Sequence, residues 1–269
     1  MNENEVLGKV VEETAKNSIG KIVDGVGNFL GKICMPMAGE LGRYFEDRVH
    51  IYRLKNIHKI LERVQKELEG SDCGSISPKL LISYTEKASL CEDACVQKMW
   101  AGLLVGELKR SSTSDADLMY YDMLHSLNSY QARLLNLIYN DDRICYAKQP
   151  LSFGAESNEL NLEKPLSYTL VQILKLSPDP LNYIIHNSNH EEIISNPNDL
   201  SLAFEYVIPN IAGLQRLGLI KQYEIDHVKK ELSIDPTIMG LDLYMNCTGV
   251  KIYPLAAYIV ARKYWLEKR

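Results

Sequence analysis

A chain of 269 residues, 46% hydrophobic and 24% charged, is long and apolar enough to bury a full core, which excludes wholesale disorder. Its 30 basic side chains against 35 acidic ones leave a net charge of −5, so no global field draws a phosphate backbone or an anionic membrane, and such binding would need a local patch. The acidic start Met-Asn-Glu-Asn-Glu and the scattered Cys34, Cys73, Cys91, Cys95, Cys145 and Cys247 point to reduced thiols in a cytoplasmic protein.

From Val6 to Ile33 apolar residues recur at helical spacing, but Gly8, Gly20, Gly25, Gly27 and Gly31 interrupt the run. Each glycine weakens a helix interior by roughly 1 kcal/mol relative to alanine, so this helix needs its apolar face covered. Ile19, Ile22, Val26, Phe29 and Ile33 form that face. They are the candidate contact residues for a protein partner, for self-association, or for peripheral binding at the inner membrane face through residues 5–33. Glu5, Glu12, Glu13 and Asp24 beside Lys9, Lys16, Lys21 and Lys32 balance the polar face, so anionic lipid gains little from it. The stretch 22–41 is broken by Asp24, Lys32 and Glu40, and no run reaches the ~20 apolar residues of a spanning helix.

A stronger amphipathic pattern over 40–68 predicts a second helix, stopped by Gly70. Ser77-Pro78 reads as an N-cap with proline at the first helical position, opening a helix through 89. Further helices are expected over 91–109, 116–127 and 129–139, with a polar break at 111–115. Residues 140–165 read as a linker. The apolar run 166–176 is too short to choose between helix and strand, and Pro178-Asp179-Pro180 ends it.

Residues 198–217 then predict a helix bent at Pro209 and stopped by Gly218, followed by paired strands 219–225 and 231–234 around a turn at 226–230. Pro236 opens a helix through Cys247, and a last helix starts at Pro254. The expected fold is mainly α: an N-terminal helical bundle (1–139), a linker (140–165), and a small winged-helix-like α+β part with a short hairpin and a C-terminal helix (166–269).

Chemistry-bearing motifs are sparse. Cys91 and Cys95 are four residues apart, as are His186 and His190, but neither pair is completed to a tetrahedral set. Adjacent Glu92 and Asp93 point in different directions and read as acidic residues at a helix start, not as an acid and base. Gly25-Val26-Gly27 misses the dinucleotide fingerprint, and no nucleophile elbow, Walker loop or kinase set is present. No catalytic, cofactor or metal site is predicted, and the expectation is a protein that is not an enzyme. The helix–hairpin–helix order raises DNA binding by a transcriptional regulator as the second reading, with Arg216, Lys221, Lys229 and Lys230 as candidate contacts. Arg216 is the single cation between residues 200 and 217 and faces Glu205 in composition, so nucleic acid is not the expected partner.

The run Glu86-Lys87-Ala88-Ser89-Leu90-Cys91-Glu92-Asp93 leading to Met99-Trp100-Ala101-Gly102-Leu103-Leu104 resembles the bacterial Abi-alpha family of abortive-infection proteins. Arg53-Leu54-Lys55-Asn56, Leu124-x-x-Leu127 with Ala132-x-Leu134-Leu135, Leu214 to Ile220, and Met239-Gly240-Leu241 agree in order, over roughly residues 40 to 250, with Met239 departing from the family wording. The resemblance implies an antiphage defence protein whose activity ends in suicide or growth arrest of the infected cell. It brings no catalytic residues, and Trp100, Leu103 and Leu104 on one helical face read as core.

Overall fold

The computed structural model describes residues 48–71, 74–109, 115–145, 164–177 and 197–249, with residues 29, 162, 267 and 268. These residues are mostly helical with one small antiparallel sheet, the mainly α fold that the sequence predicts. The chain divides into two units, Met1–His125 with Cys247–Gly249, and Ser126–Asn246 with Val250–Arg269. The helix expected from Pro254 lies outside the described residues.

In the first unit, α1 (Arg48–Leu68) buries Leu54, Ile57, Ile60, Leu61, Val64 and Leu68 at steps of three and four. Its chain reverses at Gly70, whose φ of 75° suits glycine. α2 (Pro78–Ala88) opens as predicted, with the Ser77 side chain accepting from the Leu80 N–H and Pro78 in the first turn. α3 (Ala94–Leu108) is buried on every side from Val96 to Leu108, except at Lys98, and packs along α1. A helix buried on nearly every side belongs at the centre of a unit. A 3-10 turn, Asp115–Asp117, leads into α4 (Leu118–Ser126). Tyr84, Trp100 and Tyr121 meet as a triad with ring centroids 5.3 to 5.8 Å apart. The Tyr84 hydroxyl donates to the Trp100 carbonyl at 2.8 Å. Trp100, Leu103 and Leu104 are core residues, at most 2% exposed.

The corner between α2 and α3 is held by α1. Arg53 donates to the Glu86 carbonyl at 2.8 Å and to Ser89 Oγ at 2.9 Å, and buried Asn56 donates to the Ser89 carbonyl at 3.0 Å. These satisfy carbonyls that a helix end leaves unpaired. Asp93 is the N-cap of α3, its carboxylate accepting from the Cys95 and Val96 N–H groups at 2.8 and 3.2 Å. The acidic residue at the helix start is thus a cap, and α3 begins at Ala94, three residues later than the sequence pattern suggests. We expect Asp93→Ala to lower stability by about 1 kcal/mol in urea titration. A Glu92→Ala control, which removes an exposed neighbour without a cap, should change stability by less than about 0.5 kcal/mol.

In the second unit, α5 (Ser129–Tyr139) starts from a capping box of Asn128 and Gln131. Within the stretch 140–165, α6 (Asp142–Cys145) adds a single turn. The short apolar run divides: β1 (Leu166–Thr169) is a strand, and α7 (Leu170–Leu174) is a helix opened by a Thr169/Gln172 capping box. α8 (Pro197–Arg216) runs through Pro209, which sits on an exposed side together with Glu205, whose carbonyl the proline leaves unbonded. Gly218, at φ 70°, ends it.

β2 (Ile220–Asp226) and β3 (Glu231–Pro236) form the predicted hairpin, and α9 (Ile238–Cys247) follows. β1 pairs with β3 on its other side, giving the order β1-β3-β2 with both pairs antiparallel. Leu166, Tyr168, Leu232 and Ile234 point to the helices. Ser167, Ser233 and Glu224 form a row on the outer face, and Thr169, Glu231 and Asp226 form the next. Glycines set how closely elements approach: a Cβ at Gly213 would lie 2.1 Å from Gln131 Nε2, where α8 packs on α5.

Candidate functional site

The described residues of the second unit hold an open polar groove of about 640 Å³ between the C-terminal half of α5, the corner at 141–143, β1 and α7. A bonded cluster stands at its centre. The Arg143 guanidinium grips the Asp141 carboxylate with Nε to Oδ1 at 2.9 Å and Nη2 to Oδ2 at 2.7 Å. The Arg143 backbone N–H adds a third bond to Oδ1 at 2.9 Å, and the Tyr168 hydroxyl donates to Oδ2 at 3.0 Å. The guanidinium carbon lies 5.3 Å from the centroid of the Tyr168 ring, within cation–π range. Nη2 also reaches the Ser167 carbonyl at 3.3 Å, on the outer edge of β1. Two-point binding, stacking and this edge contact fix the arginine in one geometry.

The charges follow from these contacts. Burial alone would push the Asp141 carboxyl up, but the hydrogen bonds from Arg143 and Tyr168 outweigh it and hold it below the ordinary value near 3.8. Bonding to Asp141 raises the already high Arg143 value, and burial followed by the Asp141 charge raises that of the Tyr168 phenol. A carboxyl lowered in the folded state contributes stability that is present above its unfolded value and lost as pH falls through the lower folded value. Asp141→Asn should therefore melt below the wild type at about pH 7, with the gap closing as pH falls below the ordinary carboxylate range. Paired thermal melts across that range check it, and a gap that is constant with pH would count against the carboxylate's role.

Around this cluster two of the groove's side-chain acceptors are occupied from within the protein. Gln172 Oε1 accepts from the Thr169 N–H and hydroxyl at 2.9 and 3.2 Å, and Asn140 Oδ1 accepts from Tyr244 at 3.2 Å. Arg133 forms part of another wall and donates from Nη1 to the Leu176 carbonyl at 3.4 Å.

Of the residues singled out in sequence, Ile19, Ile22, Val26 and Ile33 lie outside the described residues, and Phe29 is helical and 8% exposed. Arg216, Lys221 and Lys229 are exposed, whereas Lys230 is half-buried in the turn with φ 56°. Lys221 lies at the irregularity between Ile220 and Gln222, whose partners are Pro236 and Asp235, and Lys229 and Lys230 lie in the turn between Asp226 and Glu231, with Lys229 pairing with Asp226 at 3.4 Å. The local basic patch that phosphate binding requires is absent from the described hairpin. Cys91, Cys95 and Cys247 are thiols outside any disulfide. Burial, then the Asp93 charge, pushes Cys91 up to about 12, and burial raises Cys247 further. His186 and His190 lie outside the described residues, among which no three His, Cys, Asp or Glu side chains are placed to share a metal ion. No described helix is long and apolar enough to cross a membrane.

The family model described as abortive infection alpha matches residues 52–242, most of the chain. The chain belongs to the Abi_alpha family. Its name ties the family to abortive infection, a form of antiphage defence. The Abi_alpha match takes in the α1 bonds to the α2–α3 corner, the aromatic triad, the Asp141–Arg143–Tyr168 cluster and the hairpin. No curated protein and no solved structure matches the chain.

Sequence reasoning missed the groove. Asp141 and Arg143 fall in a stretch without periodicity, and Tyr168 in a run of undecided type. The one available signal was Asp-Asp-Arg directly after a helix of regular pattern, which marks a charged corner and not its partner on a strand 25 residues later.

Proposed function

We propose that this protein is an antiphage defence effector or sensor that acts by contact with another protein and not by catalysis. The observation that carries the reading is the Abi_alpha match over residues 52–242, which takes in elements of both units. Contact with protein is favoured over nucleic acid by the hairpin, where Lys221, Lys229 and Lys230 stand among four carboxylates. The test is infection of bacteria expressing the intact chain at low and high phage-to-cell ratio, following plaques and culture density. Protection at low ratio with collapse of the culture at high ratio is the expected result. Normal plating across a broad phage panel, with the protein expressed and folded, would overturn the reading.

A second reading, a winged-helix DNA-binding regulator, draws support from β1, which precedes α7 and α8 and pairs with the second strand of the hairpin. It requires duplex binding at low salt, where even non-specific phosphate contacts are strong. Absence of binding there would remove it.

A further inference from the structure

We infer that the outer edge of β2 takes an extended segment of a partner protein as a further strand, one whose residues alternate between apolar and basic. The sheet order β1-β3-β2 leaves β2 paired on one side, and no described strand pairs with its other side. An edge strand turns the N–H and C=O groups of alternate residues outward, where an added strand can bond to them. The irregularity between Ile220 and Gln222 blunts only the start of this edge, and from Gln222 to Asp226 the register on β3 is unbroken. No proline interrupts that stretch, so every residue keeps its N–H.

The two faces of the edge set the pattern of the added strand. α8 runs along β2 in the opposite direction: the Phe204 and His227 rings meet beyond one end at 4.7 Å, and Gln215 Nε2 donates to the Lys221 carbonyl at 3.0 Å at the other. Between these points Ile208 and Ala212 on α8, and Tyr223 and Ile225 on the inner face of β2, are only half-buried. Apolar side chains on the inner face of an added strand would complete their burial. On the outer face the register brings together Glu224, Asp226, Glu231 and Asp235, and their neighbours there are serine, threonine and glutamine. Lys221, Lys229 and Lys230 lie at the irregularity and in the turn, and Lys229 is held by Asp226. Asp235 accepts from Gln222, whereas the exposed Glu224 carboxylate has no ion pair or hydrogen bond among the described residues. Opposite charges on neighbouring strands stabilise pairing, so the residue beside Glu224 is Lys or Arg. The same rule disfavours a second copy of this chain, because antiparallel pairing over the whole stretch sets Glu224 against Glu224. The inference rests on the reading of contact with protein, and its test uses the purified chain and synthetic peptides, so its outcome is separate from that of the infection assay.

The test is a titration of the isotope-labelled full chain, followed by nuclear magnetic resonance, with a short peptide of alternating valine and lysine blocked at both ends. A peptide of alternating valine and glutamate is titrated in parallel, as are two lysine peptides methylated on the backbone nitrogen of every valine or of every lysine. The expected result is saturable shifts centred on β2, Ile208 and Ala212, slower hydrogen exchange of the outward β2 amides, and a glutamate peptide at least about tenfold weaker. Strand addition uses the N–H groups of alternate residues only, so one methylated peptide should lose at least about tenfold while the other stays within about twofold of the parent. Glu224→Lys, at an exposed position, should reverse the preference, weakening the lysine peptide at least about fivefold and strengthening the glutamate peptide without lowering the melting temperature. Equal binding of the lysine and glutamate peptides, equal tolerance of the two methylation patterns, or an unchanged preference in Glu224→Lys would each overturn the inference. So would protection of the same amides in the chain alone that rises with its own concentration, which would assign the edge to a second copy.

Discussion

Gly102→Ala should cost about 3 kcal/mol, a large loss for one methyl group. A Cβ built on Gly102 would lie 1.9 Å from the Cys247 carbonyl oxygen and 2.5 Å from its carbon, with the Gly249 nitrogen at 3.1 Å. All of these are backbone atoms, so no flexible side-chain end can move aside. Either α3 or the segment 247–249 must shift, and α3 is enclosed on nearly every side by its own unit. Close-packed interiors do not absorb such a displacement locally. The control is Gly70→Ala, where φ is 75° but nothing lies within 4 Å of the new Cβ, so only the left-handed strain of about 1–2 kcal/mol applies. Native-state hydrogen exchange of the α3 amides reads both variants in place. Equal protection loss in the two would mean that residues 247–249 do not seat against Gly102.

That contact also marks where sequence reasoning ends. Helix ends were legible where their signals are local: Ser77-Pro78 opens α2, and Gly70 and Gly218 stop their helices at positive φ. The start of α3 was displaced because Cys91 and Glu92 continue the apolar and acidic pattern, whereas the bonds that fix the boundary come from Asp93. Strand β1 has only four residues, and its state is decided by pairing Leu166 with Ile234 and Thr169 with Glu231, far along the chain. Pro236 looked like a helix start but is the last residue of β3, opposite Ile220, where its missing N–H is tolerated.

The same locality divides the candidate sites. The hairpin cations were visible, but the carboxylates facing them are set by strand register, including a shift between Ile220 and Gln222 that no short-range rule supplies. The groove depends on a tyrosine from β1 meeting a carboxylate and a guanidinium from the α5–α6 corner. None of those three residues carries a motif by itself. What makes them a unit is that one partner, Asp141, is satisfied from three directions and so holds the others in place.

Tyr139→Phe should lower the stability of the second unit by about 3 kcal/mol while leaving its ring packing unchanged. The Tyr139 hydroxyl donates to the Leu219 carbonyl and accepts from the Thr237 N–H at 2.9 Å. It thus closes the base of the hairpin, binding the residue that precedes β2 and the residue that follows β3. Thr237 extends the network, with Oγ1 donating to the Gly218 carbonyl at 2.7 Å and accepting from the Gly240 N–H at 3.1 Å. Phenylalanine keeps the stacking on Tyr244 at 6.3 Å but leaves a buried carbonyl and a buried N–H without this partner, each costing roughly 1–3 kcal/mol. Burial raises the Tyr139 phenol far above its ordinary value, so the hydroxyl stays protonated and the gap to wild type should be flat between about pH 6 and pH 9. Tyr168→Phe is the comparison, because its hydroxyl gives one bond to a carboxylate that retains Arg143, and about 1 kcal/mol is expected there. A loss below about 1 kcal/mol in Tyr139→Phe would mean that water replaces the hydroxyl. Gly240→Ala separates that case: its Cβ would lie 2.1 Å from the Tyr139 oxygen, 2.2 Å from the Leu219 carbonyl oxygen and 2.4 Å from Tyr139 Cζ, so the penalty persists in the Tyr139→Phe background through the carbonyl and the ring carbon that phenylalanine retains.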